Sequence, residues 1–324
     1  MFKCLKLDSS ARVNRFGRVV SLLKIVKLEI TMTVYTHIAE NKRRTVIFIL
    51  VYIVLITAVV YFAREFYGFD YGFVAIAAIF SIIMSFIGYY AGDKVALASS
   101  GAKQVEGRDA NPYIYNMVEN LSITAGLPIP KVYIINDPAI NAFATGRDPK
   151  HSSVAVTTGA IEKLENEELE GVLAHELSHV GNYDIRVMTI VVVMVGIISI
   201  ITDMLMRGML FGGGGRDNNK GGGPLALVGI VLIILSPIVA ELIKLSISRK
   251  REYLADASGV LLTRYPDGLA KALEKISLEN RPMARASNAT AHLFISSPFS
   301  KKKFASLFST HPPIEDRIKK LRGM

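Results

Sequence analysis

The sequence has almost no cysteine, and this scarcity constrains both its covalent structure and its metal chemistry. Cys4 is the single cysteine among 324 residues. A disulfide within one chain is therefore excluded, and a metal site in this protein has to be built from histidine, aspartate or glutamate. The lack of disulfides is also typical of a protein that folds in a reducing compartment.

The sequence also lacks a recognised nucleic-acid-binding motif, although the chain carries a net charge of +10. Half of this excess lies in residues 1–31, where seven Lys or Arg oppose Asp8 and Glu29. Aromatic residues do not alternate with the basic ones, so the charge does not indicate a nucleic-acid surface. Residues 1–31 have no small-residue cleavage site of the kind that ends a signal peptide. We expect them to be a basic extension upstream of a natural start at Met32.

Four long apolar runs dominate the rest of the chain, which is 51% hydrophobic overall. They cover residues 45–63, 72–92, 187–205 and 224–247. A helix of about 20 apolar residues crosses the hydrocarbon core of a bilayer, so we predict a multi-pass α-helical membrane protein with four transmembrane helices. The polar connector FGGGGRDNNKGGG separates the third run from the fourth. A hairpin that only dips into the bilayer is the alternative for this pair.

The apolar runs divide the chain into membrane and soluble parts. Residues 32–92 are predicted to form an N-terminal two-span hairpin, and residues 187–247 a second hairpin. Residues 93–186 and 248–324 then form the two parts of one mainly α-helical, α+β domain. Lys and Arg lie before the first span, after the second and after the fourth. This distribution places the soluble parts on the cytoplasmic side of a cell membrane.

Residues 93–186 contain patterns of both strands and helices. PKVYIIN and SVAVTTGAI are rich in β-branched residues and indicate short strands. NPYIYNMVENLSITAG and NEELEGVLAHELSHVG indicate two helices. Asn166 is the predicted N-cap of the second helix, where the acidic residues that follow it suit the positive end of the helix dipole.

The stretch HELSH within that helix predicts a metal site. His175 and His179 are four residues apart, so both imidazoles lie on one face of a helix and can bind one ion. Glu176 is offset by one position and can reach a water bound to that ion without binding the metal itself. This is the arrangement of H-E-x-x-H zinc hydrolases. The alternative is a polar helix face with two incidental histidines.

A catalytic zinc needs a third protein ligand, and a second helix offers one. SRKREYLADAS contains Glu252 and Asp256, again four residues apart. Glu252 is the predicted third ligand, and Asp256 is placed to accept a hydrogen bond from a ligating histidine. The alternative is an ordinary charged face of a helix. Two predicted spans separate His175 from Glu252, which returns the chain to the same side of the membrane and permits one shared ion.

The motifs NAFATG, HELSH, REYLAD and STHPP, together with four apolar runs, resemble the HtpX-like membrane zinc metalloproteases, relatives of the CAAX prenyl proteases. The resemblance covers residues 33–324. It implies a zincin-type metalloprotease domain, one Zn²⁺ per chain held by His175, His179 and Glu252, and Glu176 as the catalytic acid and base. It also implies protein substrates, many of them membrane proteins, and a role in protein quality control and the stress response.

Three further features are candidates for roles around the metal. His311 in FSTHPPIEDRI is a candidate partner for the oxyanion, with Arg317 as its support or as a second donor. His-Pro-Pro at the start of a helix is the alternative, since proline is favoured in the first turn. A strand at a sheet edge could pair with an extended substrate; its predicted residues are Asn141, Ala142, Phe143, Ala144 and Thr145. A structural edge strand covered by a loop is the alternative there.

Three other functions compete with this reading. An intramembrane metalloprotease would embed H-E-x-x-H in an apolar span, whereas charged residues flank it here on both sides. A dedicated prenyl-protein protease would need more spans to enclose a chamber. A membrane scaffold with a structural metal would close all four metal positions with protein groups, whereas three ligands are apparent in this sequence.

Overall fold

The computed structural model describes residues 36, 38–62, 64, 68, 70–211, 248–279, 281–299 and 312–324. Within these residues the protein is mainly helical, with one small sheet. His311 and the apolar run 224–247 lie outside the described residues, as does the predicted extension 1–31.

Two helices next to the N-terminus carry the first two apolar runs. Helix α1 covers Ile38–Phe62 and α2 covers Tyr71–Ser100, and both are long and apolar enough to cross a membrane. The Asp70 carboxylate accepts from the backbone N–H of Gly72 and caps the start of α2. Large apolar side chains such as Leu50 of α1 and Phe86 of α2 are exposed on their outer faces. Such surfaces suit lipid better than water.

A four-stranded sheet follows α2. Its strands are β1 (Ala102–Gln104), β2 (Lys131–Ile135), β3 (Ala142–Asp148) and β4 (His151–Thr157). They lie in the order β1-β2-β4-β3, with β2 and β4 parallel and the outer pairs antiparallel. The strand predicted for PKVYIIN is confirmed as β2. The strand predicted for SVAVTTGAI is confirmed as far as Thr157, but TGAI forms the start of α4, where the Thr157 hydroxyl caps the helix by accepting from the Ala160 N–H. β3 lies at one edge of the sheet.

Seven further helices follow in the described residues, and several of them pack on this sheet. They are α3 (Pro112–Ala125), α4 (Thr158–Lys163), α5 (Asn166–Gly181), α6 (Asp184–Phe211), α7 (Arg249–Thr263), α8 (Pro266–Glu279) and α9 (Ile314–Leu321). Short 3-10 turns cover Arg108–Ala110 and Ala291–Leu293. The largest apolar cluster joins α3, α5 and α8 to the sheet, through residues such as Leu169, Leu173 and Leu273.

The start of α5 differs in one detail from the sequence prediction. Asn166 is the first residue of the helix and not its cap. Glu165 occupies the cap position, and its backbone N–H donates to the Glu168 carboxylate at 2.8 Å. Lys275 of α8 binds the same carboxylate at 2.7 Å. The acidic first turn is therefore held by a tertiary contact that local sequence could not reveal.

The chain bends sharply where α5 passes into α6. The two axes differ by 85° over a break of a few residues, and Tyr183 at the bend has φ 60°. This left-handed conformation is uncommon for an aromatic residue. The Tyr183 ring lies against two cations, at 4.9 Å from Lys42 and 5.1 Å from Arg186. The contact with Lys42 holds the bend against the N-terminal start of α1.

α6 carries the third apolar run and packs against α2. Small residues of α2 allow the close approach: a Cβ added to Gly92 would lie 2.8 Å from the Thr189 side chain, and one added to Gly88 would lie 3.1 Å from Val193. Small residues four apart are typical of packing between membrane helices. The described residues thus contain two candidate spans, or three if the bent pair of α5 and α6 is counted as one.

Candidate metal centre

α5 and α7 bring the predicted metal ligands together. The Nε2 atoms of His175 and His179 lie 3.3 Å apart. The Glu252 carboxylate of α7 lies 3.8 Å from Nε2 of His175 and 3.6 Å from Nε2 of His179. All three side chains are buried. One candidate ligand atom from each lies within 4.8 Å of the others, which is a group able to hold a metal ion.

A glycine lets the two helices approach closely enough to form this group. A Cβ added to Gly259 of α7 would lie 3.1 Å from the backbone nitrogen of His175. This distance is tighter than ordinary van der Waals contact, so a larger residue would push α7 away from α5. Asp256 lies one turn and Glu252 two turns before Gly259 on the same helix, so both face α5.

The second nitrogen of each histidine is held by a carboxylate. Nδ1 of His175 lies 3.0 Å from Asp256, and Nδ1 of His179 lies 3.0 Å from Asp184. A carboxylate at Nδ1 keeps the proton there, which leaves the Nε2 lone pair available for a metal. Two nitrogens bound to one tetrahedral zinc at about 2.0–2.1 Å would be roughly 3.3–3.4 Å apart, and the His175–His179 pair has this spacing. The donor set therefore fits zinc.

Arg317 of α9 supports the His175 side. Its Nη2 donates to Asp256 Oδ1 at 2.6 Å and its Nε to Oδ2 at 2.9 Å, a forked ion pair. Burial alone would raise the pKa of the Asp256 carboxyl, but the charge of Arg317 and the bond to His175 outweigh it and lower the pKa to about 2. Arg317 is fully buried, and Nη1 lies 3.8 Å from Glu252. It supports Asp256 directly, a role that the sequence did not predict for it.

Asp184 supports the His179 side and has two partners of its own. Asn41 of α1 donates to Asp184 Oδ1 at 2.8 Å, and Arg251 of α7 lies 3.3 Å from the same oxygen. Burial alone would lower the pKa of His179, but the hydrogen bond to Asp184 and the charge of Glu252 raise it to about 9. The carboxylates around His179 therefore favour a positive charge at this position, as a bound metal ion would supply. Asp184 was missed from the sequence, although its place between HELSH and an apolar run was a usable signal.

Glu176 lies beside the metal ligands, buried at 2% exposure. Its negative charge is close enough to act on both His179 and Arg317, raising the pKa of each. The carboxylate thus lies within electrostatic reach of one candidate metal ligand and of the arginine that holds Asp256. This position agrees with the offset predicted from the helix, next to the ligands but outside their set.

The predicted substrate strand is the edge strand β3, but its outer side is covered. The backbone N–H of Ile295 donates to the Ala142 carbonyl at 3.0 Å. The Asn141 amide donates to the Ser296 carbonyl at 3.0 Å. The Thr189 hydroxyl of α6 lies 2.8 Å from that of Thr145. This geometry is compatible with both alternatives for the edge strand, because a covering loop can be permanent or can be displaced by a substrate.

The other two residues of that strand are also buried. Phe143 packs edge-to-face on Phe294 with ring centroids 5.0 Å apart, and Ala144 is buried in the main apolar cluster. Residues 291–296 therefore close the β3 edge next to α5. Ile295 and Ala142 are 153 positions apart in the chain, so no local pattern in the sequence indicated their contact.

Comparisons with known proteins agree with this geometry. The model of peptidase family M48 matches residues 108–324. A protease HtpX homolog of Caldanaerobacter subterraneus subsp. tengcongensis is 46% identical over 296 residues, covering 90% of this chain and 98% of that protein. The homolog of Streptococcus uberis is 42% identical over 300 residues, covering 90% and 99%. The crystal structure of Ste24p from S. mikatae is similar with a TM-score of 0.47 and 18% identity, covering 94% of this chain and 74% of that one.

A buried His-His-Glu group beside two apolar helices, with relatives of this kind, defines a membrane metalloprotease. Its substrates are therefore proteins. The chain belongs to peptidase family M48, and its full-length relatives are HtpX proteases. This membership decides between the protease and the membrane scaffold in favour of the protease.

Proposed function

We propose that this chain is a zinc-dependent endopeptidase that cleaves membrane or misfolded proteins at the cytoplasmic surface of the cell membrane. One Zn²⁺ is held by His175, His179 and Glu252. The observation that carries the proposal is the convergence of their three donor atoms within 4.8 Å, with a carboxylate behind each histidine. Quality control of membrane proteins is the role that this site and the HtpX relatives support best.

The protein's own residues then perform the proton transfers. Bound zinc supplies a Lewis acid that polarises the scissile carbonyl and lowers the pKa of water. The Glu176 carboxylate accepts a proton from the attacking water and delivers it to the nitrogen of the leaving amine. Asp256 and Asp184 keep the protons of the two histidines on Nδ1 while this happens. His311 remains our candidate for the oxyanion, and Arg317 acts by holding Asp256.

The proposed membrane arrangement has four spans, with both soluble parts on the cytoplasmic side. α1 and α2 supply the first two spans. The close packing of α6 on Gly88 and Gly92 of α2 supports α6 as the third, and the run 224–247 would supply the fourth. The basic residues beside these runs support the orientation. The metal site then lies next to the lipid surface, because His179 is five residues from the start of α6.

Substrate binding is proposed to occur along β3. An extended peptide would pair with the strand backbone, which reads little of the side-chain sequence and suits a protease of broad specificity. The hydrogen bond between Ile295 and Ala142 has to open for this pairing. Residues 291–296 would therefore act as a cover that a substrate displaces.

The proposed function is tested by cleavage of casein in detergent, with and without a chelator. Glu176→Gln keeps the size of the side chain but cannot act as a base, so activity should fall at least about 100-fold with metal content unchanged. Glu167→Gln is the matched control, because Glu167 lies exposed in the first turn of the same helix. Glu252→Ala should lose both metal and activity.

Two results would refute the proposal. Cleavage by the Glu176→Gln variant at the rate of the control would remove the acid–base role. Cleavage that continues unchanged after the metal has been stripped would remove the metal from the reaction altogether.

A further inference from the structure

A second buried polar cluster lies behind the metal site, at the N-terminal start of α1. The Asn41 amide of α1 donates to Asp184 Oδ1 at 2.8 Å and to the Asn182 carbonyl at 3.0 Å. Its own oxygen lies 3.4 Å from Nη1 of Arg251. Asn41 is 3% exposed, and Asp184 is 1% exposed. Three helices, α1, α6 and α7, thus meet at one amide.

The chemistry of the amide matches these contacts completely. An asparagine side chain offers two N–H donors and one carbonyl oxygen, and all three are used here. Burying an amide is unfavourable unless its hydrogen bonds are satisfied. The buried position of Asn41 is therefore favourable only when Asp184 and Arg251 are placed to bond with it. The contacts are long-range, since Asn41 and Asp184 are 143 positions apart.

The two donor bonds of Asn41 hold the turn that follows α5 on either side of Tyr183. One bond fixes the carbonyl of Asn182, and the other fixes the carboxylate of Asp184. Tyr183 between them has the left-handed φ of 60°, a conformation that needs support from its surroundings. With Oδ1 held by Asn41 and Arg251, Oδ2 of Asp184 points at Nδ1 of His179 at a distance of 3.0 Å.

We propose that Asn41 is a positioning residue for the metal site. It acts through Asp184, whose carboxylate it orients toward His179, and it makes the first membrane helix part of the support of a metal ligand. The inference rests on the proposed zinc site and adds to it a residue far from the catalytic motifs. In this arrangement a displacement of α1 relative to α6 changes the affinity for the metal.

The test uses the full-length chain in detergent, in a Glu176→Gln background that prevents proteolysis. Zinc affinity is measured by competition with a chelator, and the absorption spectrum of the cobalt-substituted protein reports the geometry of the ligands. Asn41→Ala and Asn41→Leu both remove the amide, and the leucine variant fills its volume. Thr45→Val is the matched control: Thr45 is buried on the same face one turn later and bonds only to the Asn41 carbonyl among the described residues.

We expect both Asn41 variants to weaken zinc binding by about threefold to tenfold and to alter the cobalt spectrum, while Thr45→Val does neither. Replacing an outer partner of a metal ligand typically costs 10–100-fold in affinity, and Asn41 acts one step further out than Asp184. In an Asp184→Asn background, Asn41→Ala should have no further effect on affinity. This non-additivity distinguishes positioning through Asp184 from a general loss of structure.

Two outcomes would overturn the inference, and a third concerns the site itself. Asn41 variants that bind zinc like Thr45→Val, while Asp184→Asn binds it less tightly, would show that Asn41 does not position Asp184. An Asn41 effect that persists in full beside Asp184→Asn would assign it a purely structural role. If His179→Ala binds zinc as tightly as the parent chain, the proposed metal site fails, and the inference fails with it.

Discussion

The two sides of the metal site are supported by different regions of the molecule. His175 is held by Asp256 of α7, and Asp256 by Arg317 of α9; this side is called the soluble side, because neither helix is a candidate span, and the His179 side is called the membrane side. His179 is held by Asp184 at the start of α6, and this carboxylate by Asn41 of the first membrane helix. The distance from histidine to carboxylate is 3.0 Å on both sides.

The difference lies in what fixes each carboxylate. Arg317 holds Asp256 through two bonds of 2.6 and 2.9 Å, whereas Arg251 approaches Asp184 at 3.3 Å through one. A forked, charge-assisted pair is both stronger and more rigid than a single longer contact. The soluble side therefore depends on one strong ion pair, and the membrane side on a set of weaker bonds whose geometry depends on the packing of helices.

The largest effect is expected when the soluble side loses its cation. Arg317→Met leaves the Asp256 carboxylate buried beside Glu252 without its forked partner, and the free energy of unfolding should fall by about 3–5 kcal/mol. Arg251→Met should cost less, on the order of 1–2 kcal/mol, because its contact with Asp184 is longer. Chemical unfolding in detergent, followed by circular dichroism, measures both. Equal losses would contradict the difference between the two sides.

The two sides should respond alike when the carboxylates themselves are neutralised. Asp256→Asn and Asp184→Asn each weaken the control of a histidine proton, so zinc affinity should fall by about 10–100-fold in either variant. Chelator competition provides the measurement. A change of affinity in only one of the two variants would contradict the equivalence of the two carboxylates, since the other would then have no role at its histidine.

Acid should destabilise the folded protein as Asp256 on the soluble side becomes protonated. The pKa of Asp256 is about 2 in the folded protein, below its ordinary value, so its charged form is stabilised by folding. This contribution, on the order of 2 kcal/mol, is complete above the unfolded pKa of about 4 and is lost as the pH falls toward 2. Melting temperatures of the metal-free protein between pH 6 and pH 3 should fall more steeply for the parent chain than for Asp256→Asn. Parallel curves would rule out this account.

The smallest effect is expected at an ion pair that belongs to neither side. Lys275 binds Glu168 at the start of α5, at the opposite end of the helix from His179. Lys275→Met should lower the free energy of unfolding by roughly 0.5–1 kcal/mol, as is usual for a partly exposed pair. Zinc affinity should stay within twofold of the parent value. A larger change in affinity would mean that the whole helix, and not its two local supports, positions the histidines.

The metal ligands and Asp256 were predictable from sequence, whereas the bond of Arg317 to Asp256 and the support of His179 by Asp184 and Asn41 were not. The ligands His175, His179 and Glu252, with Asp256, follow from spacing of four residues on a helix, which fixes a shared face. Asn41 and Asp184 come from helices whose contact depends on tertiary packing, and no local period connects positions 143 apart. A covering loop for β3 was one of the two alternatives from sequence, but the same reason explains why Ile295 could not be identified as the residue that covers it.

The local predictions succeeded where one segment determines its own structure. β2, α3 and α5 lie where β-branched runs and helical periodicity indicated them. The predicted strand SVAVTTGAI is β4 only as far as Thr157, because the Thr157 side chain caps α4 there. The cap of α5 was placed one residue too late, because the Glu165–Glu168 bond and Lys275 together determine where the helix starts. His311 and the fourth apolar run lie outside the described residues and stay predictions.

The 85° bend between α5 and α6 has a consequence for how this protease would meet its substrates. With α6 running close to the bilayer normal in the proposed arrangement, α5 lies almost flat along the lipid surface and carries the histidines at that level. Encounters would then take place by lateral diffusion in two dimensions. The number of substrate molecules per unit area of membrane, and not their concentration in the cytoplasm, would set the rate of cleavage.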